Sequence, residues 1–316
     1  MQTMKAVRVE QFGGPERIKL DRIPKPEPGA GQVLVRVEAT GINPIDWKLR
    51  EGMFRELSLP FTPGGDFAGF IESFGGGVAG FKTGDAVYGC APGSMGAEAE
   101  YVLVPPTHFA HKPNSLTFVQ AASVPLAAMT AWQGLFQHGL LQEEQTALIL
   151  GASGGVGSFA VQFARRSGAR VIGTASKENL DRVRDLGAHR VVDYRSERIE
   201  DAAKDVDLCL DLVGGDFQRR ALALVKRGGR LISTVQAPDQ RSARAREIYA
   251  LMFRMKPSSE QLQTISRMIE EGRLRVDVAK VLPLEEAAQA EELNRQQVVD
   301  GKIVLRVGTQ RDSGTD

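Results

Sequence analysis

The sequence predicts an α/β protein in two parts, a β-rich domain and a doubly wound parallel-sheet domain. Three observations carry that reading. From residue 4 to about 120, short runs of alternating character are broken by Gly and Pro, clearest where Val33, Val35, Val37 and Ala39 alternate with Leu34, Arg36, Glu38 and Thr40. Between about 121 and 270 the rhythm becomes strand and helix in alternation, with strands expected at 146–151, 169–174, 189–193, 206–213 and 230–235. A final strand-like segment, Lys302 to Val307, has no helix after it and is expected to return to the first domain. The expected organisation is therefore 1–120 with 271–308, then 121–270, with Thr309 to Asp316 as a polar, frayed tail.

In chain order, turn chemistry at Lys25 to Gly31, Gly75 to Gly77 and Thr83-Gly84-Asp85 separates the strands of the first domain. Asn43-Pro44 followed by Asp46 reads as the N-terminal cap of a short helix from Pro44 to Glu51. In the second domain Thr146 to Leu150 reads as a buried parallel strand. It runs into Gly151-Ala152-Ser153-Gly154-Gly155-Val156-Gly157, and a helix follows in which Phe159, Ala160, Phe163 and Ala164 recur at helical spacing until Gly168. Strand, glycine turn and helix in that order suit a pyrophosphate, because small residues allow close backbone approach and the helix N-terminus presents unsatisfied N–H groups. An alternative reading is that these glycines serve only close packing of helix on strand.

The next strand, Ala169 to Thr174, completes a βαβ unit. An acidic side chain at its end would grip a ribose 2′-hydroxyl, but the chain continues Ala175-Ser176-Lys177, a hydroxyl and a cation that suit a 2′-phosphate. NADP(H) is thus favoured over NAD(H), with the alternative that Ser176 simply caps a helix from Lys177 to Leu186 and Lys177 is a solvated charge. The segment 246–256 reads as a strand, either in the core or at an edge offered to a second subunit.

Composition bounds the rest. A chain of 316 residues that is 42% hydrophobic and 25% charged is ordinary for a two-domain globular protein. A formal net charge of +1 argues against nucleic acid or an anionic membrane surface as partner, and Arg241, Arg244 and Arg246 make only a local basic cluster. Two cysteines, Cys90 and Cys209, build no disulfide framework. With no signal-peptide pattern and no long apolar run, the expected location is the cytoplasm, away from membranes.

Several motifs resemble the zinc-independent quinone oxidoreductase branch of the medium-chain dehydrogenase/reductases. They are Gly41-Ile42-Asn43-Pro44-Ile45-Asp46, Pro63-Gly64-Gly65-Asp66-Phe67-Ala68-Gly69, Gly84-Asp85-Ala86-Val87-Tyr88-Gly89 and Ala99-Glu100-Tyr101-Val102. Further on come Ala121-Ala122-Ser123-Val124-Pro125, Thr130-Ala131-Trp132, the glycine turn, Asp211-Leu212-Val213-Gly214-Gly215 and Gly301-Lys302-Ile303-Val304-Leu305. The resemblance implies a GroES-like domain, a Rossmann domain, and NADPH-dependent reduction of quinones or α,β-unsaturated carbonyls by a homodimer. It places Asn43 and Pro44 beside the nicotinamide, turns Asp46 and Lys48 toward a cleft between the domains, and makes those two the catalytic candidates, Lys48 as the cation for developing negative charge on oxygen. It further implies cofactor contacts from Thr130, from Ser153, Gly154, Gly155, Val156 and Gly157, and from Ser176, Lys177 and Tyr194. Leu212, Val213 and Gly214, then Ser233, then Lys302 complete that list, although Val298-Val299-Asp300 departs from the family's usual lead-in to Lys302.

Zinc enzymes of the same superfamily carry Cys-His and His-Glu where this chain has Asn43-Pro44 and Gly65-Asp66, so no metal site is expected. His108, His111, His138 and His189 lack partners at ligand spacing. The expected reaction is metal-free hydride transfer from NADPH to a quinone or enone. The competing readings are a non-catalytic NADPH-binding regulator and a zinc alcohol dehydrogenase.

Overall fold

The computed structural model describes residues 2–53 and 57–308. The expected tail from Thr309 lies outside them. The chain divides into two compact units, one of Met1–Leu126 with Pro257–Asp316 and one of Ala127–Lys256.

The first unit is built on a seven-stranded sheet. Val33–Gly41 is its centre because that strand buries both faces, with only Arg36 exposed and Glu38 half-buried. It pairs antiparallel with Asp66–Phe74 on one side and with Tyr101–Val104 and Lys302–Arg306 on the other. Ala86–Cys90 and Phe109–His111 continue the sheet beyond Asp66–Phe74, and Val278–Pro283 flanks Lys302–Arg306. Val33, Val35, Val37, Phe67, Ile71, Val87 and Phe109 close one core. Each such side chain contributes about 1.5–3 kcal/mol when fully buried. Val7, Ile42, Leu284, Ala287, Ile303 and Leu305 form a second core, which seats the returning C-terminal strand.

The division falls at Leu126 and at Lys256, later and earlier than the expected 120 and 270. The helix Ser259–Glu270 belongs to the first unit, where the buried Tyr88 hydroxyl lies 3.0 Å from Leu262 O and 2.8 Å from Ser266 Oγ.

The second unit is a six-stranded parallel sheet in the order Arg190–Asp193, Arg170–Ala175, Thr146–Leu150, Val206–Asp211, Val225–Ser233, Tyr249–Met252. This is the doubly wound order, and its centre is continuous apolar chain: Leu148, Ile149, Leu150, Leu210 and Ile232 are all 0% exposed. The fifth strand starts five residues before the expected Arg230, because the Gly228-Gly229 pair lets the ladder pass a register shift at Val206/Leu208. Among the described residues Tyr249–Met252 is an edge strand, paired only with Val225–Ser233. Among the described residues no helix is long and apolar enough to cross a membrane.

Candidate active site

In the second unit the central strand Thr146–Leu150 runs into a turn at Gly151, whose φ of +76° favours glycine. The turn is pinned from the neighbouring strand: Gly151 N–H donates to Thr174 Oγ1 at 3.0 Å and Ala152 N–H to Thr174 O at 2.9 Å. The helix Gly155–Arg166 then starts from Gly154 with no side-chain cap. Its first N–H groups and the positive end of its dipole are left for an anion. The glycines divide the labour. A Cβ on Gly157 would run into Gly151 O and lie 2.7 Å from Ala152 Cα, so Gly157 serves close packing; a Cβ on Gly154 would meet only Gly151 O, at 3.5 Å. Gly154, Gly155 and Val156 are partly exposed, while Ser153 is buried and its carbonyl accepts from Arg182 Nη1 at 3.3 Å. This uncapped glycine turn fits a dinucleotide pyrophosphate.

Ala175 lies opposite Asp193 on adjacent parallel strands, so Ser176-Lys177 and Tyr194-Arg195 emerge side by side. Lys177 is exposed, and Tyr194 is half-exposed with its ring edge-on to Phe217. Ser176 is buried and accepts from Asn179 Nδ2 at 3.0 Å. The Arg195 guanidinium sits 5.5 Å above the Tyr194 ring and 3.6 Å from Glu178. Arg195 has no motif to announce it; only the strand pairing brings it here.

On the other side of the glycine turn, a Cβ on Gly151 would touch Val213 at 3.2 Å and Leu212 at 3.6 Å. The organiser here is Asp211, which is wholly buried. Its Oδ1 accepts from the N–H groups of Val213 at 3.0 Å and Gly214 at 2.8 Å, and its Oδ2 from Gln218 Nε2 at 2.8 Å and Ser233 Oγ at 2.7 Å. The carboxylate thus leaves Val213 exposed and holds Gly214 at a φ of +79°. Ser233, expected at the cofactor, is 0% exposed: its hydroxyl donates to Asp211 and accepts from Val235 and Gln236 N–H. Thr130 is likewise buried, on the helix Pro125–Trp132.

In the first unit the helix Pro44–Arg50 begins as its sequence implies, with Asp46 Oδ2 accepting from Asn43 N–H at 2.7 Å. Asp46 does not face outward, however. It is 0% exposed, and burial followed by the Glu291 charge pushes its carboxyl well above the usual carboxylate range. Helical periodicity puts it on the inner face, which removes it from the catalytic candidates. Lys48 is half-buried, with its ammonium 5.4 Å from the Trp47 ring. Burial holds that ammonium below the usual lysine value. Trp47 is itself tethered by Nε1 to Asn294 Oδ1 at 3.2 Å.

Pro44 is exposed, but Asn43 is turned inward, its Nδ2 donating to Asp66 Oδ2 at 2.9 Å and Gly41 O at 3.2 Å. Lys302, expected at the cofactor, is buried and uses all three N–H donors internally: Asn43 Oδ1 at 2.6 Å, Ile42 O at 3.1 Å and Asp66 Oδ2 at 3.1 Å. Its expected role therefore gives way to a structural one. Asp66 also accepts from Leu126 N–H at 2.8 Å and Cys90 Sγ at 3.4 Å. With four donors on this carboxylate, one of them an ammonium, these positions do not fit a divalent cation. Among the described residues no group of three or more His, Cys, Asp or Glu side chains converges as a metal site.

The chain is similar to known proteins over most of its length. Residues 29–114 match the alcohol dehydrogenase GroES-like domain and residues 186–305 match the zinc-binding dehydrogenase family. The chain is 36% identical to a quinone oxidoreductase of Rattus norvegicus, covering 96% of this chain and 97% of that protein. It is 33% identical to an NADPH-dependent alkenal/one oxidoreductase of Arabidopsis thaliana, over 96% of this chain and 79% of the relative. A solved structure of the quinone oxidoreductase from Coxiella burnetii superposes with a TM-score of 0.91 at 34% identity, covering 97% of this chain and all of that one.

Proposed function

The chain belongs to the zinc-independent quinone oxidoreductase and enone reductase branch of the medium-chain dehydrogenase/reductases, and from that premise we propose that it is an NADPH-dependent reductase of quinones or α,β-unsaturated carbonyls. The nicotinamide, when bound, supplies the hydride. The observation that carries the reading is the uncapped helix at Gly154–Gly157, flanked by a strand end that offers Ser176 and Lys177 in place of an acid.

On this reading the N–H groups of Gly155, Val156 and Gly157 at the start of the helix would bind the pyrophosphate, while Lys177, Tyr194 and Arg195 with Ser176 would surround the 2′-phosphate. Leu212, Val213 and Gly214 form the rim along which the nicotinamide ribose lies. Asn43, oriented by Asp66, presents the start of the helix whose Lys48 stabilises negative charge developing on the acceptor oxygen. A partly desolvated ammonium is stronger in that role than a hydrated one, because charges interact more strongly at low dielectric.

Two further readings follow from single features. Tyr249 is 50% and Met252 37% exposed on the free edge of the parallel sheet, and we assign that edge to a second copy, giving a homodimer. Cys90 and Cys209 are both free, buried thiols, which suits a reducing cytoplasm.

The test is to follow NADPH absorbance with a simple quinone and with an enal or enone, for the wild type and for Lys48→Ala. The expected result is turnover with at least one acceptor class and a kcat lowered by about 10²-fold in the variant, with NADPH affinity retained. No oxidation with any acceptor, at normal NADPH affinity, would overturn the assignment in favour of a binding protein.

A further inference from the structure

Behind the helix that carries Lys48 lies a group of ionisable side chains which hydride transfer does not use. Asp46, Arg50, Glu98 and Glu291 are each 0% exposed and come from three separate stretches of the first unit: the helix Pro44–Arg50, the segment between Gly96 and Tyr101, and the helix Ala287–Arg295. One ion pair is formed, Arg50 Nε to Glu291 Oε2 at 2.7 Å. Arg50 Nη1 donates to Gly13 O at 2.5 Å, and Asp46 Oδ2 accepts from Asn43 N–H. Among the described residues the remaining polar atoms meet no hydrogen-bonding protein group: Asp46 Oδ1, Glu291 Oε1, Arg50 Nη2 and both oxygens of Glu98.

The charge count decides what this means. Fully ionised, three carboxylates against one guanidinium would leave two uncompensated negative charges away from solvent. Uncompensated charge at such depth is strongly unfavourable, and the cheapest escape is to keep a proton. Surrounding groups relieve the excess only in part. Lys302 acts on Asp46 but lies 3.1 Å from Asp66, which takes up its charge, and Cys90 lies against that same carboxylate; at the edge of the cluster Glu51 and Glu292 face Arg295, 3.9 Å and 2.7 Å away. No three of these carboxylates converge as a metal site among the described residues.

We propose that this cluster holds at least one proton at neutral pH, seated on Glu98, and that the protonated cluster is a pH-linked clamp which positions the helix bearing Lys48. Glu98 is the seat because neither of its oxygens accepts any donor, the arrangement an ionised carboxylate tolerates least. The same burial pushes the Glu98 and Asp46 carboxyls well up and raises Glu291 to about 7. Each of these groups binds its proton more tightly folded than unfolded, so its stabilising effect is complete at low pH and is lost as pH rises through its folded value. Each proton so held changes the folding constant by about tenfold per pH unit across that window. The proton assignment stands whether or not the helix serves catalysis.

Two measurements on the full chain test it. Thermal unfolding of the wild type and of Glu98→Gln is recorded from pH 6 to 8.5. The wild type should lose stability as pH rises, and the variant, which cannot ionise there, should gain relative to it with increasing pH. Infrared spectroscopy of the wild type at pH 7 should show the carbonyl stretch of a protonated carboxyl group, weakened in the variant, where only Asp46 and Glu291 are left to contribute. Parallel pH profiles, or a wild-type spectrum with no protonated-carboxyl band, would overturn the proposal. If Glu98→Gln does not fold, the wild-type spectrum decides alone: the band supports the proposal and its absence overturns it.

Discussion

Lys302 Nζ and Asp66 Oδ2 lie 3.1 Å apart, on side chains 7% and 0% exposed, and so join the last strand of the chain to the strand that opens at Asp66. The same ammonium accounts for Asn43 Oδ1 and Ile42 O, so three segments distant in sequence share one cation. Removing one partner of a buried pair leaves the other charged and unpaired, which costs about 3–5 kcal/mol.

Lys302→Met, which keeps the length of the side chain, is therefore expected to lose that much stability in urea denaturation, because the buried Asp66 would be left without its cation. Asp66→Asn in the same background should recover part of the loss, since a neutral amide no longer demands a cation. A Lys302→Met loss below 1 kcal/mol would show that the pair is not the tie described.

The glycine turn permits a paired test of packing against ligand approach. Gly157→Ala pushes a methyl group into Gly151 O and Ala152 and should destabilise the fold measurably. Gly154→Ala has room for its Cβ, and its φ of −71° is one that alanine adopts freely. Its stability should stay within about 1 kcal/mol of wild type. Its NADPH affinity should nonetheless fall, about tenfold for a loss of 1.4 kcal/mol, because the methyl stands where the pyrophosphate approaches. Unfolding midpoints and fluorescence titration separate the two effects, and an unchanged Kd in Gly154→Ala would move the nucleotide elsewhere.

The same comparison shows what the sequence could disclose. Thr146–Leu150 and Lys302–Arg306 were legible because a buried strand is a short apolar run bounded by turn residues, and both properties are local. The Pro44–Arg50 helix was legible from Asn43, Pro44 and Asp46 for the same reason. What Asp46, Lys302 and Ser233 do was not, since each is decided by partners far along the chain: Glu291 for Asp46, Asp66 for Lys302, Asp211 for Ser233. A motif names residue types at fixed spacing and is silent on which face of an element points inward. Thr174, Asp211 and Arg195 were missed in the opposite sense. Each sits at the end of a parallel strand, where pairing with the neighbouring strand, invisible in one sequence, gives it its task.

Thr174 offers a direct check on that class of residue. Thr174→Val preserves shape but removes the oxygen that accepts from Gly151 N–H, leaving that donor without its acceptor at a cost of about 1–3 kcal/mol. The expected outcome is a lower unfolding midpoint together with weaker NADPH binding, relieved in part by saturating nucleotide, since a ligand that binds only the folded state stabilises it. Wild-type midpoint and affinity in the variant would mean that the turn holds its shape through Gly151 and Gly154 alone.

In the function proposed above, the choice between the two nicotinamide dinucleotides rests on Ser176, Lys177, Tyr194 and Arg195. Hydrogen bonds to a charged partner contribute about 1.5–3 kcal/mol each, whereas exposed cations are weakened by salt. Arg195 shares its charge with Glu178 at 3.6 Å, so the phosphate must compete with a carboxylate for it. Arg195→Ala is thus expected to weaken NADPH binding by about tenfold at low salt, and Lys177→Ala, which removes a point charge and not a bidentate fork, by less. Glu178→Gln should act in the opposite direction and tighten NADPH binding by removing the competitor. NADH, which lacks the phosphate, should bind all three variants as it binds the wild type. Fluorescence titrations at two ionic strengths measure every one of these constants. Equal losses for NADPH and NADH in Arg195→Ala would mean that the arginine supports the adenosine pocket as a whole and does not read the 2′-phosphate.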